Sequence, residues 1–338
     1  MLVVMQTHAT PEQVQQVVDK ISDLGLTPHP LPGATRTAIG ITGNVDAVDP
    51  ARLEGLTGVH ELLRVTKPYK LASREMHPDD SVVKLPQAAF RADTFPIVAG
   101  PCSVENESMV LQTAEFLVSR GIHLMRAGAF KPRTSPYSFQ GMEHQGLEIL
   151  VKAREATGIG IVTEVMESEQ VSAVEEAADM LQIGTRNMQN FPLLKRVSRA
   201  SKPVLLKRGM SATLDEWLMA GEYVLSGGNR GVVFCERGVR TFADHTRNTL
   251  DLSIVPPVKK LSHLPIIVDP SHGTGKRDFV MPMALAGLAS GADGLMIEIH
   301  PDPDQALSDG AQSLNFDQFD ELLDRVNELA SVFGRKVV

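Results

Sequence analysis

From residue 95 onward the chain repeats one pattern eight times: a short apolar run, a polar or glycine-rich end, then a stretch of helical periodicity. The runs lie at 96–99, 123–127, 160–165, 180–183, 203–207, 231–235, 265–268 and 295–299. They are nearly continuous in apolar residues, as strands buried on both faces of a parallel sheet must be. Strands alternating with helices fold either into a closed (β/α)8 barrel or into an open doubly wound sheet. No G-x-G-x-x-G follows the first run, which disfavours the open sheet. The fold class expected is α/β, a (β/α)8 TIM barrel over residues 95–338.

Residues 1–66 follow a different plan. A strand is expected at 2–5, and Thr10-Pro11-Glu12 opens a helix with a cap and a proline in its first turn. Val14, Val17, Val18, Ile21 and Leu24 keep helical spacing, and Gly25 closes it. Further strands are expected at 37–43 and 59–65, with a short helix near 50–56 between them. This is the outline of a small α+β ferredoxin-like domain preceding the barrel. The interval 67–94, rich in Lys, Pro, Asp and Ser, reads as a linker with one short strand at 81–85. A chain of 338 residues accommodates one small domain and one barrel, since barrels run to about 250 residues as single units.

Composition excludes several classes of function. No apolar run approaches the roughly 18 residues that cross a bilayer. The start, Met1-Leu2-Val3-Val4-Met5, has no basic flank, and Gln6, Thr7 and His8 interrupt it too early for a signal-peptide core. Cys102 and Cys235 are the only cysteines and form no C-x-x-C, which fits a reducing, cytoplasmic setting. A net charge of −8 argues against nucleic acid as a partner. Anionic small molecules remain open to such a chain if its cations are gathered locally.

They are gathered. Barrels of this kind place their chemistry at the C-terminal ends of the strands. Those ends carry Arg126, Lys131, Arg133, Arg186, Lys207, Arg208 and Arg237. Their mutual repulsion is otherwise uncompensated, so they call for a polyanionic ligand, and guanidinium suits phosphate and carboxylate bidentately. A second constellation is Cys102, His272, Glu298 and one acid after the eighth strand: Asp302, Asp304 or Asp309. Thiolate, imidazole and carboxylate together suit Mn, Fe, Co or Zn rather than Ca. Cys235 lies inside an apolar run and Trp217 keeps helical spacing with Leu214 and Ala220, so both read as packing. Gly227-Gly228-Asn229 reads as a helix end and turn. His144, His245 and His263 fit no pattern.

The stretch Ala99-Gly100-Pro101-Cys102-Ser103, followed by Arg126-Ala127-Gly128-Ala129-Phe130-Lys131-Pro132-Arg133-Thr134-Ser135-Pro136-Tyr137, strongly resembles the 3-deoxy-D-arabino-heptulosonate 7-phosphate (DAHP) synthases. Gly184-Thr185-Arg186-Asn187, Asp269-Pro270-Ser271-His272 and the Glu298 strand end extend the resemblance over residues 95–335. The form most resembled is the smaller microbial one, with a ferredoxin-like domain ahead of the barrel. The resemblance implies condensation of phosphoenolpyruvate with erythrose 4-phosphate and water. It implies one divalent metal ion held by Cys102, His272, Glu298 and Asp309. It also implies that Arg126, Lys131, Arg186, Lys207 and Arg237 bind phosphoenolpyruvate, and that Lys131-Pro132-Arg133-Thr134 receives erythrose 4-phosphate. Lys131, Glu164 and His272 are the implied catalytic groups. The sister enzymes that use arabinose 5-phosphate resemble this barrel too, but typically read Lys-Ala-Asn-Arg where this chain has Lys131-Pro132-Arg133-Thr134. The family further implies feedback by phenylalanine or tyrosine at the N-terminal domain, and a homo-oligomer, with a tetramer as its form.

Overall fold

The computed structural model describes residues 1–33, 36–43, 49–63, 67–131, 137 and 139–338. The chain divides into two compact units, Met1–Asp79 with Leu261–His263, and Asp80–Lys260 with Leu264–Val338.

In the first unit, β1 (Leu2–Met5), α1 (Pro11–Asp23), β2 (Thr27–Pro32), β3 (Thr37–Thr42), α2 (Ala51–Glu54) and β4 (Val59–Leu63) build an antiparallel sheet of order β2-β3-β1-β4. Thr10 caps α1: its hydroxyl accepts the Gln13 N–H at 3.4 Å, and the Gln13 side chain accepts the Thr10 N–H at 2.9 Å. Val17 and Ile21 on α1 pack with Val3, Met5, Ile39, Ile41 and Leu53 into the unit's core. The strand β2 carries Pro28, Pro30 and Pro32, a composition that reads against a strand. Its position at the sheet edge resolves this. The three prolines share one parity, while His29 and Leu31 face Gly40 and Ala38 of β3, so the missing donors fall on the unpaired side. The α2 helix is a single turn, shorter than the stretch expected at 50–56.

The second unit holds the barrel. Eight parallel strands close into a barrel, the last of them pairing with the first. They alternate with helices: β8 (Ile97–Gly100), α3 (Glu107–Ser119), β9 (Leu124–Arg126), α4 (Glu143–Thr157), β10 (Gly160–Glu164), α5 (Val171–Ala177), β11 (Met180–Ile183), α6 (Phe191–Val197) and β12 (Val204–Lys207). The rest are α7 (Leu214–Ser226), β13 (Val232–Glu236), α8 (Val255–Leu261), β14 (Ile266–Val268), α9 (Pro270–Thr274), α10 (Arg277–Ala289), β15 (Leu295–Glu298) and α11 (Phe316–Val332). Asp179 and Asp293 stand just ahead of the fourth and eighth barrel strands. Each accepts a backbone N–H of the preceding strand's edge, Ile161 at 2.9 Å and Ile266 at 3.0 Å, satisfying donors that the ladder leaves open. Trp217 and Cys235 are fully buried, Trp217 donating to the Leu206 carbonyl at 3.2 Å. Among the described residues no helix is long and apolar enough to cross a membrane.

The interval 67–94 is divided between the two units rather than lying free of both. The strand expected at 81–85 is one arm of a hairpin, β5 (Val83–Lys84) with β6 (Ala89–Phe90), and β7 (Thr94–Phe95) pairs with the terminal β16 (Lys336–Val337). Val83, Leu85 and Phe90 pack in one cluster with Val98, Leu124, Val162, Met180, Leu205, Val233, Cys235, Ile267 and Met296, which draws on every barrel strand. Leu124 and Met180 begin their strands, so the hairpin stoppers the N-terminal mouth and leaves the opposite rim for chemistry. Phe90→Ala is expected to destabilise the barrel by about 3–5 kcal/mol through lost burial and a residual cavity. Val82→Ala, at a half-exposed position, changes it by under about 0.5 kcal/mol; urea unfolding of the two variants measures the contrast.

Candidate active site at the C-terminal rim

Two glycines set the approach of the strand ends. At Gly100 (φ +148°) a Cβ would lie 2.1 Å from the Arg126 carbonyl oxygen, so only glycine lets β8 run this close to β9 before Pro101 and Cys102. At Gly184 a Cβ would lie 2.0 Å from Glu164 Oε1, so the bare backbone there leaves room for the Glu164 carboxylate. Glu164 is buried and accepts from Gln182 Nε2 at 3.2 Å.

Strand closure gathers four groups that lie far apart in the sequence. Ligand atoms of Cys102, Glu298 and Asp309 all fall within 4.8 Å of one another. Cys102 Sγ is 3.3 Å from Asp309 Oδ2. His272 joins them from the side: its Nε2 is 3.3 Å from Glu298 Oε1 and 4.0 Å from Asp309 Oδ2. Of the three acids left open after the eighth strand, Asp309 is the one in the cluster. Asp304 instead meets Arg277 at 3.0 Å.

The surroundings orient these donors. Asp269 caps the short helix α9, accepting the His272 N–H at Oδ1 (2.9 Å), and its Oδ2 lies 2.7 Å from His272 Nδ1. Burial pulls the His272 pKa down, against Asp269 and Glu298, which favours the neutral ring. With Nδ1–H donated to Asp269, the Nε2 lone pair faces Glu298 and Asp309. Burial works against ionisation of Asp309, but His272, Arg247 and Lys131 outweigh it and bring its carboxyl down to about 2. Burial pushes the Cys102 thiol up, Glu298 adding to the effect and Lys131 opposing it. A thiol, a neutral imidazole and two carboxylates in this arrangement fit a borderline divalent ion, which would relieve the crowding of acids and favour the thiolate.

The cations divide into two groups, and here the sequence expectation of wholly uncompensated charge is corrected. Arg126 donates to Glu298 Oε1 at 2.7 Å and to the Pro101 carbonyl at 2.8 Å. Lys207 meets Asp269 at 2.7 Å. Arg208 is bound to Glu236 at 3.0 Å and Asp251 at 2.9 Å, which makes it part of the scaffold. Buried charges left unpaired cost several kcal/mol each, which is why these have partners. Arg186, which is exposed, and Arg237 have no carboxylate within 4 Å among the described residues. Arg237 is buried, and that burial lowers its pKa. The Nε of Arg126 is also buried without an acceptor among the described residues. Lys131 Nζ donates to the Cys102 carbonyl at 2.8 Å, beside the acid cluster. Pro132, Arg133 and Thr134 lie outside the described residues.

Sequence reading placed Asp269 in a motif without giving it a role, and passed over Gln312 and Arg247. Gln312 Nε2 donates to Glu298 Oε2 at 2.6 Å, and Arg247 holds both Asp309 Oδ1 at 3.3 Å and Gln312 Oε1 at 2.9 Å. Only Asp269 carried a legible signal, as a capping residue three positions before His272.

Two family models match the chain. The ferredoxin-like domain of DAHP synthases matches residues 1–67, and the DAHP synthetase I family matches residues 87–334. The chain belongs to the DAHP synthetase I family. Among its relatives, the phospho-2-dehydro-3-deoxyheptonate aldolase of Thermotoga maritima is 48% identical over 337 residues, covering 100% of both chains. A crystal structure of DAHP synthase from that organism matches with a TM-score of 0.80 at 47% identity, covering 100% of this chain and 99% of that one. The 2-dehydro-3-deoxyphosphooctonate aldolase of Syntrophotalea carbinolica is 35% identical over 248 residues, covering 67% of this chain and 87% of that one.

In this DAHP synthetase I family member, the Arg126–Glu298 pair tests the electrostatic reading. Arg126→Met leaves Glu298 buried without its cation and is expected to cost about 3–5 kcal/mol. Adding Glu298→Gln removes the stranded charge and is expected to recover part of that loss, as measured by chemical denaturation.

Proposed function

We propose that this chain condenses phosphoenolpyruvate with D-erythrose 4-phosphate and water to give 3-deoxy-D-arabino-heptulosonate 7-phosphate and phosphate, the first step of the shikimate pathway. The observation that carries this reading is the full-length relationship to an enzyme named phospho-2-dehydro-3-deoxyheptonate aldolase. The rim chemistry supports it: two phosphorylated substrates bring about four to five negative charges, and Arg237, Arg186 and the free edge of Arg126 offer donors that no carboxylate occupies.

Arg126, Lys131, Arg186, Lys207 and Arg237 would hold the phosphate and carboxylate of phosphoenolpyruvate, fixing its C3 toward the aldehyde. Arg133 and Thr134, with Pro132 shaping the loop, would hold the phosphate of erythrose 4-phosphate. Fixing both reactants in one geometry lowers the barrier by several kcal/mol. As C3 bonds to the aldehyde carbon, Lys131 gives a proton to the oxygen that becomes a hydroxyl. Glu164 orients the water that adds at C2, and the C2–O bond to phosphate then breaks as the ketone forms. Cys102, His272, Glu298 and Asp309 would hold one divalent ion of the Mn, Fe, Co or Zn type, whose contribution when bound is Lewis acidity toward the aldehyde oxygen. The N-terminal unit would bind phenylalanine or tyrosine as a feedback effector, in a homotetramer.

Phosphate release is expected with erythrose 4-phosphate, and to fall away with arabinose 5-phosphate or after chelation. Turnover of the pentose alone would place the chain with the octulosonate enzymes. Lys131→Met is expected to lower kcat by about 10²–10⁴-fold, and a variant with near-normal kcat would remove Lys131 from the proton step. Addition of phenylalanine or tyrosine to the full-length protein is expected to slow phosphate release, and an unchanged rate with both would remove the feedback role.

A further inference from the structure

Between β15 and α11 the chain makes a long excursion before it delivers Asp309, and after the buried Pro303 it runs along the surface. No side chain from residue 304 to residue 307 is buried, and Leu307 is 58% exposed. Apolar packing therefore does not hold this stretch. Yet Ser308, the next residue, sits 2.8 Å from Cys102 Sγ, and Asp309 adopts the left-handed backbone (φ 56°), which is costly for a non-glycine residue.

The hold comes from Glu105. Its side chain is only 7% exposed, although it lies in the loop after β8. Oε1 accepts the Leu307 N–H at 2.9 Å. Oε2 faces His300 Nε2 at 3.5 Å, an electrostatic contact slightly too long for a good hydrogen bond. His300 Nδ1 accepts the Asp302 N–H at 3.0 Å, so its proton is on Nε2, which is buried and makes no hydrogen bond among the described residues. Glu105 is three residues after Cys102, and Leu307 is two residues before Asp309. One carboxylate thus bridges the two loops that supply Cys102 and Asp309. Arg277 grips the same excursion elsewhere, at Asp304 and the Gly310 carbonyl.

We propose that Glu105, through its bond to the Leu307 N–H, is a positioning residue that sets the separation of Cys102 from Asp309 and so the affinity of the metal site. This rests on the reading of Cys102, His272, Glu298 and Asp309 as a metal site. Loss of an outer-shell partner of this kind typically weakens metal binding 10–100-fold. A glutamine keeps an acceptor for the Leu307 N–H and should restore most of the effect. Leu307→Pro deletes the same bond from its other side. Ala306, at φ −61° and ψ 132°, already has the conformation that a residue before proline takes.

The test is Co²⁺ titration of the full-length protein after chelator treatment. It follows the thiolate-to-cobalt charge-transfer absorption of Cys102, with thermal unfolding of each apo protein alongside. Glu105→Ala and Leu307→Pro are expected to raise the Co²⁺ Kd 10–100-fold and to change the charge-transfer band, with apo melting near that of the parent. Glu105→Gln should stay within a few-fold. Parent-like Co²⁺ affinity and spectrum in both Glu105→Ala and Leu307→Pro would overturn the proposal while leaving the metal reading in place. A parent protein that shows no thiolate band would overturn the metal reading itself, and the proposal with it, before any variant is made.

Discussion

The pairing of β15 with β8 is the constraint on which the rest of this molecule depends. It joins the last barrel strand to the first, in the register Leu295↔Ile97, Met296↔Val98, Ile297↔Ala99 and Glu298↔Gly100. In an open sheet those strands would be the two edges, and Glu298 and Cys102 would lie at opposite ends of it. Closure makes them neighbours and abolishes both edges at once. The register also decides which residues reach the rim. A slip of one position would turn Glu298 from its place beside Arg126 to the opposite face.

Once the rim is closed, electrostatics arranges it. Burial penalises every charge there, so Glu298, Asp269 and Glu236 each hold a cation, and each paired cation is thereby kept in place. Asp269 shows the economy of this: one carboxylate caps α9, fixes the proton on His272 Nδ1 and takes the Lys207 ammonium. His272 and Lys207 keep Asp269 ionised well below the usual carboxylate range, although burial opposes it. What is left over is cationic. Arg237 and Arg186 have no carboxylate of the described residues within 4 Å, and an anionic substrate is a group that would pair with both.

The fold was legible where hydrophobic periodicity is strong and local. All eight barrel strands lie within a residue or two of the runs read at 96–99 through 295–299, because a strand buried on both faces leaves a continuous apolar signature. The proline-bearing β2 escaped notice, since only its place at a sheet edge makes those prolines harmless. Of the hairpin, Val83–Lys84 fell in the short strand expected at 81–85, while Ala89–Phe90 read as linker because its apolar residues are too few to show a period. Their worth comes from filling a mouth that eight other segments create.

For the site, the sequence by itself determined the inventory: which strand ends carry cations, and that Cys102, His272 and Glu298 stand at such ends. Residue chemistry and strand position are local properties, and they survive in a linear reading. Tertiary structure decided how the members meet. It set Asp309, which the resemblance had implied and residue chemistry alone had left among three acids, beside Cys102, and turned Arg208 toward Glu236 and Asp251. It also enlisted Asp269, Gln312, Arg247 and Glu105 around the donors. Those choices depend on distances across the barrel mouth, between residues as many as 207 positions apart, and on the cost of burying each charge unpaired, neither of which has any signature in the order of the residues.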